Sequence, residues 1–301
     1  MQSWSDNTMD RTPSRLKAAA WMGGWLFLML VLAIAGRETT RELNVFQVME
    51  VRSLIGFLML LPVIALSSGL SAMRTARPLA HVSRNLAHYL SQLAWLYALT
   101  LIPLSQLVSI EFTMPVWITI MAALFIGERI TLLKGLAVVL GLIGVVIIVR
   151  PSTGEINPGQ TIALAAAFGF AISVTLTKSL TRADNSLKIV FWMTIVQSLV
   201  GLGPALYFWV WPSSTVWGWL VVIAFCGTFS HFCMARAMQY ADATVVIPMD
   251  FLRVPLTALV GFLFYSELLD TYTVLGAALI LAANAVNLKT AVPAVAASKP
   301  A

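Results

Sequence analysis

The side chains best suited to chemistry in this sequence are polar groups at helical spacing inside an apolar stretch. Asn85, His88, Tyr89, Gln92 and Trp95 recur at intervals of three or four residues, so a helix would place them on one face. A polar group in hydrocarbon is costly unless it faces protein, a partner or water. The row therefore predicts an inward surface that contacts a polar solute, with hydrogen bonding between helices as the alternative.

A matching row lies 139 residues further on, at Ser230 and His231, with His231 aligned to Gln92. Imidazole titrates near physiological pH, so His88 and His231 could relay protons; substrate contact and packing are the alternatives. Neither histidine has the companion residues of a metal site. Two matching rows favour a cavity over structural hydrogen bonds alone.

Charged residues also fall inside apolar stretches, among them Arg236 and, near the start of the second span, Arg52. The candidates for the substrate site are Glu111, Lys178, Asp250 and Arg253. Asp250 and Arg253 are three residues apart, so they can neutralise each other on one helix as a structural ion pair. Alternatively, Arg253 or Lys178 binds a substrate carboxylate while Glu111 or Asp250 binds an ammonium group. The second arrangement would suit a zwitterion.

Deep aromatic residues complete the candidate substrate site. Trp117, Phe168 and Trp192 lie well inside apolar stretches, as do Tyr89 and Trp95. Such rings can stack on a substrate or face a cation, and packing against protein or lipid is the alternative. We include all five in the predicted site.

The elements that must position these residues are predicted membrane spans. Hydrophobic residues make up 59% of the 301 and charged residues 11%, which excludes a soluble globular protein. A span needs about 20 residues, so ten spans fit, with short connections. The apolar runs predict spans at residues 18–36, 44–68, 79–102, 104–126, 131–149, 157–180, 187–210, 214–239, 242–265 and 271–289.

The second half of the chain repeats the first at an offset of 139 residues, including Glu111 against Asp250. Because five is an odd number of spans, the second copy would enter the membrane from the opposite side and have the inverted orientation. Basic residues concentrate in alternate loops, which predicts cytoplasmic termini and assigns the +6 net charge to topology and lipid contact, not nucleic acid. We predict an all-α membrane protein with ten transmembrane helices as two inverted five-helix repeats around a central cavity. Its segments are an N-terminal tail 1–17, repeats 18–150 and 157–289, and a C-terminal tail 290–301.

Three prolines are predicted hinges, because each removes a backbone donor within a predicted span: Pro115, Pro248 and Pro255. Bending there would open one mouth of the cavity while closing the other. Small residues such as Gly144 and Gly276 instead permit close helix contact, in a scaffold or a dimer interface. The expected state is a monomer or a weak homodimer.

Several short motifs give a resemblance to a known family. Residues 97–99, Pro103, residues 115–116, residues 127–129 and the glycine-rich residues 135–144 resemble the repeat of the drug/metabolite transporter superfamily, EamA type. The second half carries a weaker copy in Ala235, Arg236, Ala237, Met238, Pro248, Pro255, Glu267 and Gly276.

This resemblance implies ten helices, a central cavity and alternating access, and within the superfamily the chain is most similar to aromatic-amino-acid exporters. We therefore predict an inner-membrane secondary transporter that moves small metabolites, chiefly neutral and aromatic amino acids, outward. The alternatives are uptake of a nucleoside-like or adenosylated metabolite, drug efflux, or a channel. The sequence has no paired carboxylates, Ser-Lys dyad or metal motif, so neither enzymatic activity nor a cofactor is expected. The expected partners are a small-molecule substrate and membrane lipid.

Overall fold

The computed structural model of the protein describes residues 14–67, 69–126, 131–150, 157–180, 183–241, 246 and 249–290. Within these ranges the chain is helical and contains no β-strand. Seven helical stretches in the described residues, counting Leu104–Met121 as one, are long and apolar enough to cross a membrane. In chain order the helices are α1 (Arg15–Thr40), α2 (Val45–Ser67), a 3-10 turn (Leu70–Met73), α3 (Pro78–Ala98), α4 (Leu104–Glu111), α5 (Met114–Ile126), α6 (Leu132–Val149), α7 (Pro158–Leu180), α8 (Ser186–Tyr207), α9 (Ser214–Tyr240), α10 (Arg253–Tyr265) and α11 (Thr271–Thr290).

The helix is interrupted at equivalent places in the two halves. The predicted span 104–126 divides into α4 and α5 at residues 112–113, and turn residues 251–252 precede α10. Pro115 and Pro255 cause this, because a proline ring excludes the carbonyl four residues earlier from a continuing helix.

Two of the three predicted hinge prolines lie beside these breaks. Pro115 and Pro255 lie in the first turns of α5 and α10, where a backbone N–H has no partner within the helix in any case. They follow the breaks and do not bend a continuous helix. The third predicted hinge, Pro248, lies outside the described residues.

α1 is longer than its apolar run predicted. It begins at Arg15, because the Ser14 side chain accepts a hydrogen bond from the Lys17 backbone N–H at 3.3 Å and caps the helix. It also continues four residues past Gly36 to Thr40. These last residues are polar, and the helix persists there because they have tertiary partners, as described below for Arg37.

The helix pairing is unchanged when the two halves are exchanged. α1 packs along α9 as α3 packs along α7, while α2 packs on α8 and α6 on α11. At the 139-residue offset α1 corresponds to α7 and α3 to α9, so each pair maps onto another pair or onto itself. The halves consequently share one hydrophobic core, in which Leu99, Leu107, Ile110, Ile148 and Leu220 are fully buried.

α6 and α11 touch through their backbones. A Cβ atom built on Gly144 would lie 2.7 Å from the Gly276 carbonyl oxygen, and one on Gly276 would lie 2.5 Å from the Gly144 carbonyl oxygen. These glycines thus face each other inside one chain. The sequence left open a scaffold within the chain or a dimer interface for these glycines. A contact inside one chain corresponds to the scaffold.

Gly144→Ala is expected to destabilise the protein by about 1–3 kcal/mol, since rigid backbone cannot yield to the added methyl group. The measurement is the thermal midpoint of the detergent-purified protein. Gly218→Ala in α9 is the matched control, because a Cβ there meets nothing within 4 Å. Equal midpoints for the two variants would contradict the close helix contact.

A buried acid links the loop before α8 to the start of α3. Asp184 accepts hydrogen bonds from Thr75 at 2.8 Å and His81 at 2.9 Å, and pairs with Lys188 at 2.8 Å. Burial alone would raise the pKa of the Asp184 carboxyl, but the bonds from Lys188, His81 and Thr75 hold it well below its usual range. The ionised carboxylate therefore stabilises the folded state.

Asp184→Asn is expected to lower the thermal midpoint at pH 7, with a loss of about 2–3 kcal/mol. The folded pKa lies below the unfolded value of about 4, so the stabilisation is complete above the unfolded pKa and declines as the pH falls towards the folded pKa. The difference between wild type and variant should then be smaller at about pH 2 than at pH 7. An equal difference at both pH values would contradict an ionised Asp184.

Candidate functional site

The two helix breaks meet at a buried ion-pair network. Glu111 is the last residue of α4, and Arg253 is the first of α10. The Arg253 guanidinium donates to Glu111 Oε1 at 2.9 Å and to Asp250 Oδ2 at 3.3 Å. One cation from the second half thus bridges carboxylates from both halves.

Two indoles complete this central network, which consists of Trp25, Trp95, Glu111, Asp250 and Arg253. Trp95 Nε1 of α3 donates to Glu111 Oε2 at 2.8 Å, and Trp25 Nε1 of α1 donates to Asp250 Oδ1 at 2.6 Å. Every carboxylate oxygen of the network therefore accepts a hydrogen bond. Four parts of the chain are joined at this point: α1, α3, α4, and α10 with residues 250–252 before it.

Aromatic rings form one wall of the network. The Arg253 guanidinium lies 4.8 Å from the centroid of the Phe112 ring, a cation–π arrangement. Phe112 in turn contacts Phe251 edge to face at 5.7 Å. These two phenylalanines are the residues at the two helix breaks, so the interruptions pack directly against each other.

The central network is largely buried and carries an unequal charge. Two carboxylates face one guanidinium, which leaves a net charge of −1 when all three groups are ionised. Burying these charges is costly, and good hydrogen-bond geometry only partly offsets the lost hydration. A surplus carboxylate in such a place attracts a positively charged group.

The polar row of α3 leads away from the central network towards α2, α7 and α8. Gln92 accepts a hydrogen bond from Arg52 of α2 at 3.0 Å, and His88 Nδ1 lies 2.9 Å from Gln197 Nε2 of α8. Asn85, one turn earlier, is fully buried. The predicted helical face is therefore an interior face of the protein.

Sequence reasoning missed Glu50, although the signal is an acidic residue inside the predicted span 44–68. Its side chain is 2% exposed, and neither carboxylate oxygen has a hydrogen-bond partner in the part of the chain that the structure describes. The Tyr89 hydroxyl, also in this region, is likewise unpartnered. Trp25 was missed too, since nothing local distinguishes it from other tryptophans.

The remaining predicted site residues lie away from the central network. Trp117 of α5 contacts Phe168 of α7 edge to face at 5.4 Å. Trp192 donates to the Met73 carbonyl at 3.0 Å, beside His81, so it belongs to the Asp184 cluster and not with the deep aromatic rings predicted for the substrate.

Three polar positions of the predicted site remain. Ser230 is buried within α9. The backbones of Lys178 and His231 belong to α7 and α9, but their side chains lie outside the described residues.

An end clamp of polar contacts lies where α1, α3, α4 and α10 end or begin; it consists of Arg37, Glu267 and the loop 99–104. Arg37 pairs with Glu267 and donates to the carbonyls of Leu99 and Ile102, both at 2.9 Å. Glu267 also accepts from the Leu104 N–H at 2.9 Å and so caps α4. The clamp ties the two halves together at this end.

Two cavities open near this end of the molecule. One of about 360 Å³ is lined by residues that include Ser105, Arg150 and Asp270, and the other, of about 310 Å³, by Arg37 and Thr100 among others. Neither is lined by a member of the central network.

A model of the EamA-like transporter family matches the chain twice, over residues 17–150 and 157–288. The chain belongs to the EamA-like transporter family. Family membership and the transporter class, both predicted from the motifs, are thereby confirmed.

Among EamA-family relatives, the S-adenosylmethionine uptake transporter of Rickettsia prowazekii is 29% identical, over 86% of this chain and 90% of the relative. The riboflavin transporter of Rhizobium johnstonii is 32% identical over 72% of each chain. The pseudopaline exporter of Pseudomonas aeruginosa is 26% identical, over 85% of this chain and 90% of the relative. These names do not support the predicted subtype of amino-acid exporter.

The fold of this EamA-family chain is also found in a solved protein crystal structure. It superposes with a TM-score of 0.62, at 20% identity, over 91% of this chain and 96% of the other. At that identity the likeness concerns the fold alone.

Proposed function

We propose that this chain is an uptake carrier for an adenosylated metabolite of the S-adenosylmethionine type, working by alternating access in the bacterial inner membrane. Ten membrane-crossing segments would form two inverted five-helix repeats, with both termini in the cytoplasm. This replaces the amino-acid export expected from the sequence with one of its alternatives. The central network carries the proposal.

The chemistry of the central network suits such a substrate. S-adenosylmethionine has a sulfonium, an ammonium, a carboxylate and an adenine ring. Glu111 and Asp250 would attract the two cationic groups, and Arg253 would receive the carboxylate. The indoles of Trp25 and Trp95 could release their carboxylate bonds and pack against the adenine ring.

The helix pairing supports alternating access. Because exchanging the halves preserves the pairing, a rearrangement at one end has an equivalent at the other end. The breaks at residues 112–113 and 251–252 lie where such a rearrangement needs backbone freedom. We propose these breaks, with the adjacent Pro115, Pro248 and Pro255, as the hinges.

The competing interpretation of Arg253 is a purely structural ion pair. It already has two carboxylate partners, so it need not bind substrate. The two interpretations predict different rates of exchange when the network is neutralised as a whole.

Counterflow in proteoliposomes tests the proposed function. Purified protein is reconstituted with unlabelled compound inside, and entry of labelled S-adenosylmethionine is followed, with riboflavin and neutral and aromatic amino acids as competing substrates. We expect saturable exchange of S-adenosylmethionine. Exchange of riboflavin or amino acids alone would contradict the substrate, and a linear, ohmic flux would indicate a channel.

A further inference from the structure

Three helices converge on an unpartnered carboxyl group. Glu50 of α2 and Tyr89 of α3 are each 2% exposed, and neither the carboxylate oxygens nor the phenol oxygen has a hydrogen-bond partner among the described residues. A Cβ atom built on Gly201 of α8 would lie 2.7 Å from Glu50 Oε2 and 2.9 Å from the Tyr89 hydroxyl. The two oxygens therefore border one small space above Gly201.

Within the described part of the chain, the neighbouring cation does not neutralise Glu50. Arg52, two positions along α2, donates instead to Gln92 of α3, and its other polar contact is Met49 Sδ at 4.0 Å. From α9, Gly227 faces the Arg52 guanidinium. Arg52 is thus directed away from Glu50.

Tyr89 is the titratable group that lies beside Glu50. The following titratable groups on the helices packed around Glu50 have contacts elsewhere. His88 of α3 lies against Gln197 of α8 at 2.9 Å. In α1, Arg37 pairs with Glu267, and Glu38 contacts both Arg41 and Tyr265. Lys188 of α8 pairs with Asp184, and Arg236 of α9 contacts Tyr240.

An ionised carboxylate without a partner is strongly disfavoured in a protein interior, and more so within a membrane. The neutral, protonated acid is therefore the favoured form of Glu50 in this conformation. If the helices separate and admit water, the same carboxyl can ionise. Its protonation state then changes with the conformational cycle.

We propose that Glu50 is a proton-binding site that couples transport to the proton gradient. Its carboxylate takes a proton from water on one side of the membrane, forming the neutral acid, and returns that proton to water on the other side. Tyr89 provides a hydroxyl that can hydrogen-bond to the carboxyl when the space opens. This inference rests on the proposed function only in requiring that the chain be a carrier.

The experiment compares wild type with Glu50→Gln in proteoliposomes, using two readouts. One is accumulation of labelled S-adenosylmethionine driven by an imposed pH gradient; the other is counterflow exchange at equal pH. Glutamine resembles the protonated acid but cannot release a proton. We expect Glu50→Gln to lose the response to the gradient while exchange remains measurable.

Two results would overturn the proton site. A response to the gradient that survives in Glu50→Gln would exclude Glu50 as the coupling group. Loss of exchange together with the gradient response, in a folded variant, would make Glu50 a contact of the substrate cation instead. Glu42→Gln, in an exposed residue before α2, is the control and should keep the response.

A second variant covers failure of Glu50→Gln to assemble. Glu50→Asp keeps a titratable group on a shorter side chain, so it should respond to the gradient with a displaced pH profile; an unchanged profile would overturn the proposal. If wild type exchanges another metabolite but not S-adenosylmethionine, the proposed function fails, and the Glu50 test is run with that metabolite.

Discussion

Arg253→Met is expected to reduce counterflow by about 100-fold and to destabilise the protein by about 3–5 kcal/mol. Methionine keeps much of the volume of arginine but leaves Glu111 and Asp250 as two buried carboxylates without a cation. Repulsion and lost hydration then act together. Initial rates of exchange and thermal midpoints in detergent measure the two effects.

A triple variant separates binding from structure. Adding Glu111→Gln and Asp250→Asn to Arg253→Met makes the central network neutral and should restore much of the stability. If Arg253 is only a structural partner, exchange returns as well; under the proposed function, exchange stays low. Arg41→Met is the control, because Arg41 is 61% exposed and a pair at the surface contributes little.

Arg37→Met is expected to open the clamped end to water more often. The arginine makes an ion pair and two carbonyl hydrogen bonds, and losing such bonds shifts a two-state equilibrium by at least about tenfold. Leu104→Cys reports the change, since the Leu104 side chain is buried and its backbone N–H is the one that Glu267 caps. A membrane-impermeant maleimide should label it about tenfold faster in the Arg37→Met background.

The matched control is the second ion pair at this end. Arg150 and Asp270 are 31% and 40% exposed, against 16% and 14% for Arg37 and Glu267. Arg150→Met should therefore change labelling little. Equal rates in both backgrounds would contradict a gating role for the clamp. Labelling from only the cytoplasmic side would contradict the proposed orientation.

Periodicity in the sequence could predict the interior face of α3 because a helix repeats every 3.6 residues and the polar side chains follow that repeat. A different signal identified Glu111, Asp250 and Arg253: charged residues are rare in apolar runs. Glu50 gave the same signal, and its unpartnered state depends on where α3 and α8 place Tyr89 and Gly201. That arrangement is a property of packing alone.

Contacts between distant segments could not be read from periodicity. Trp25 meets Asp250 across 225 residues, and Arg253 meets Glu111 across 142. The prolines indicated where the helices change, but not that the chain would break before Pro115 and Pro255. The length of α1 was underestimated because its final turn is stabilised by tertiary partners of Arg37 and not by apolar composition.

The single guanidinium of the central network shows what a fused chain can achieve. In a dimer of two identical halves every side chain occurs twice, so one arginine could not serve two acids. Here Arg253 has Met114 at the equivalent position of the first half, while both halves retain an acid, Glu111 and Asp250. Joining the halves in one polypeptide permits such differences between them, so that a single arginine can serve an acid from each half.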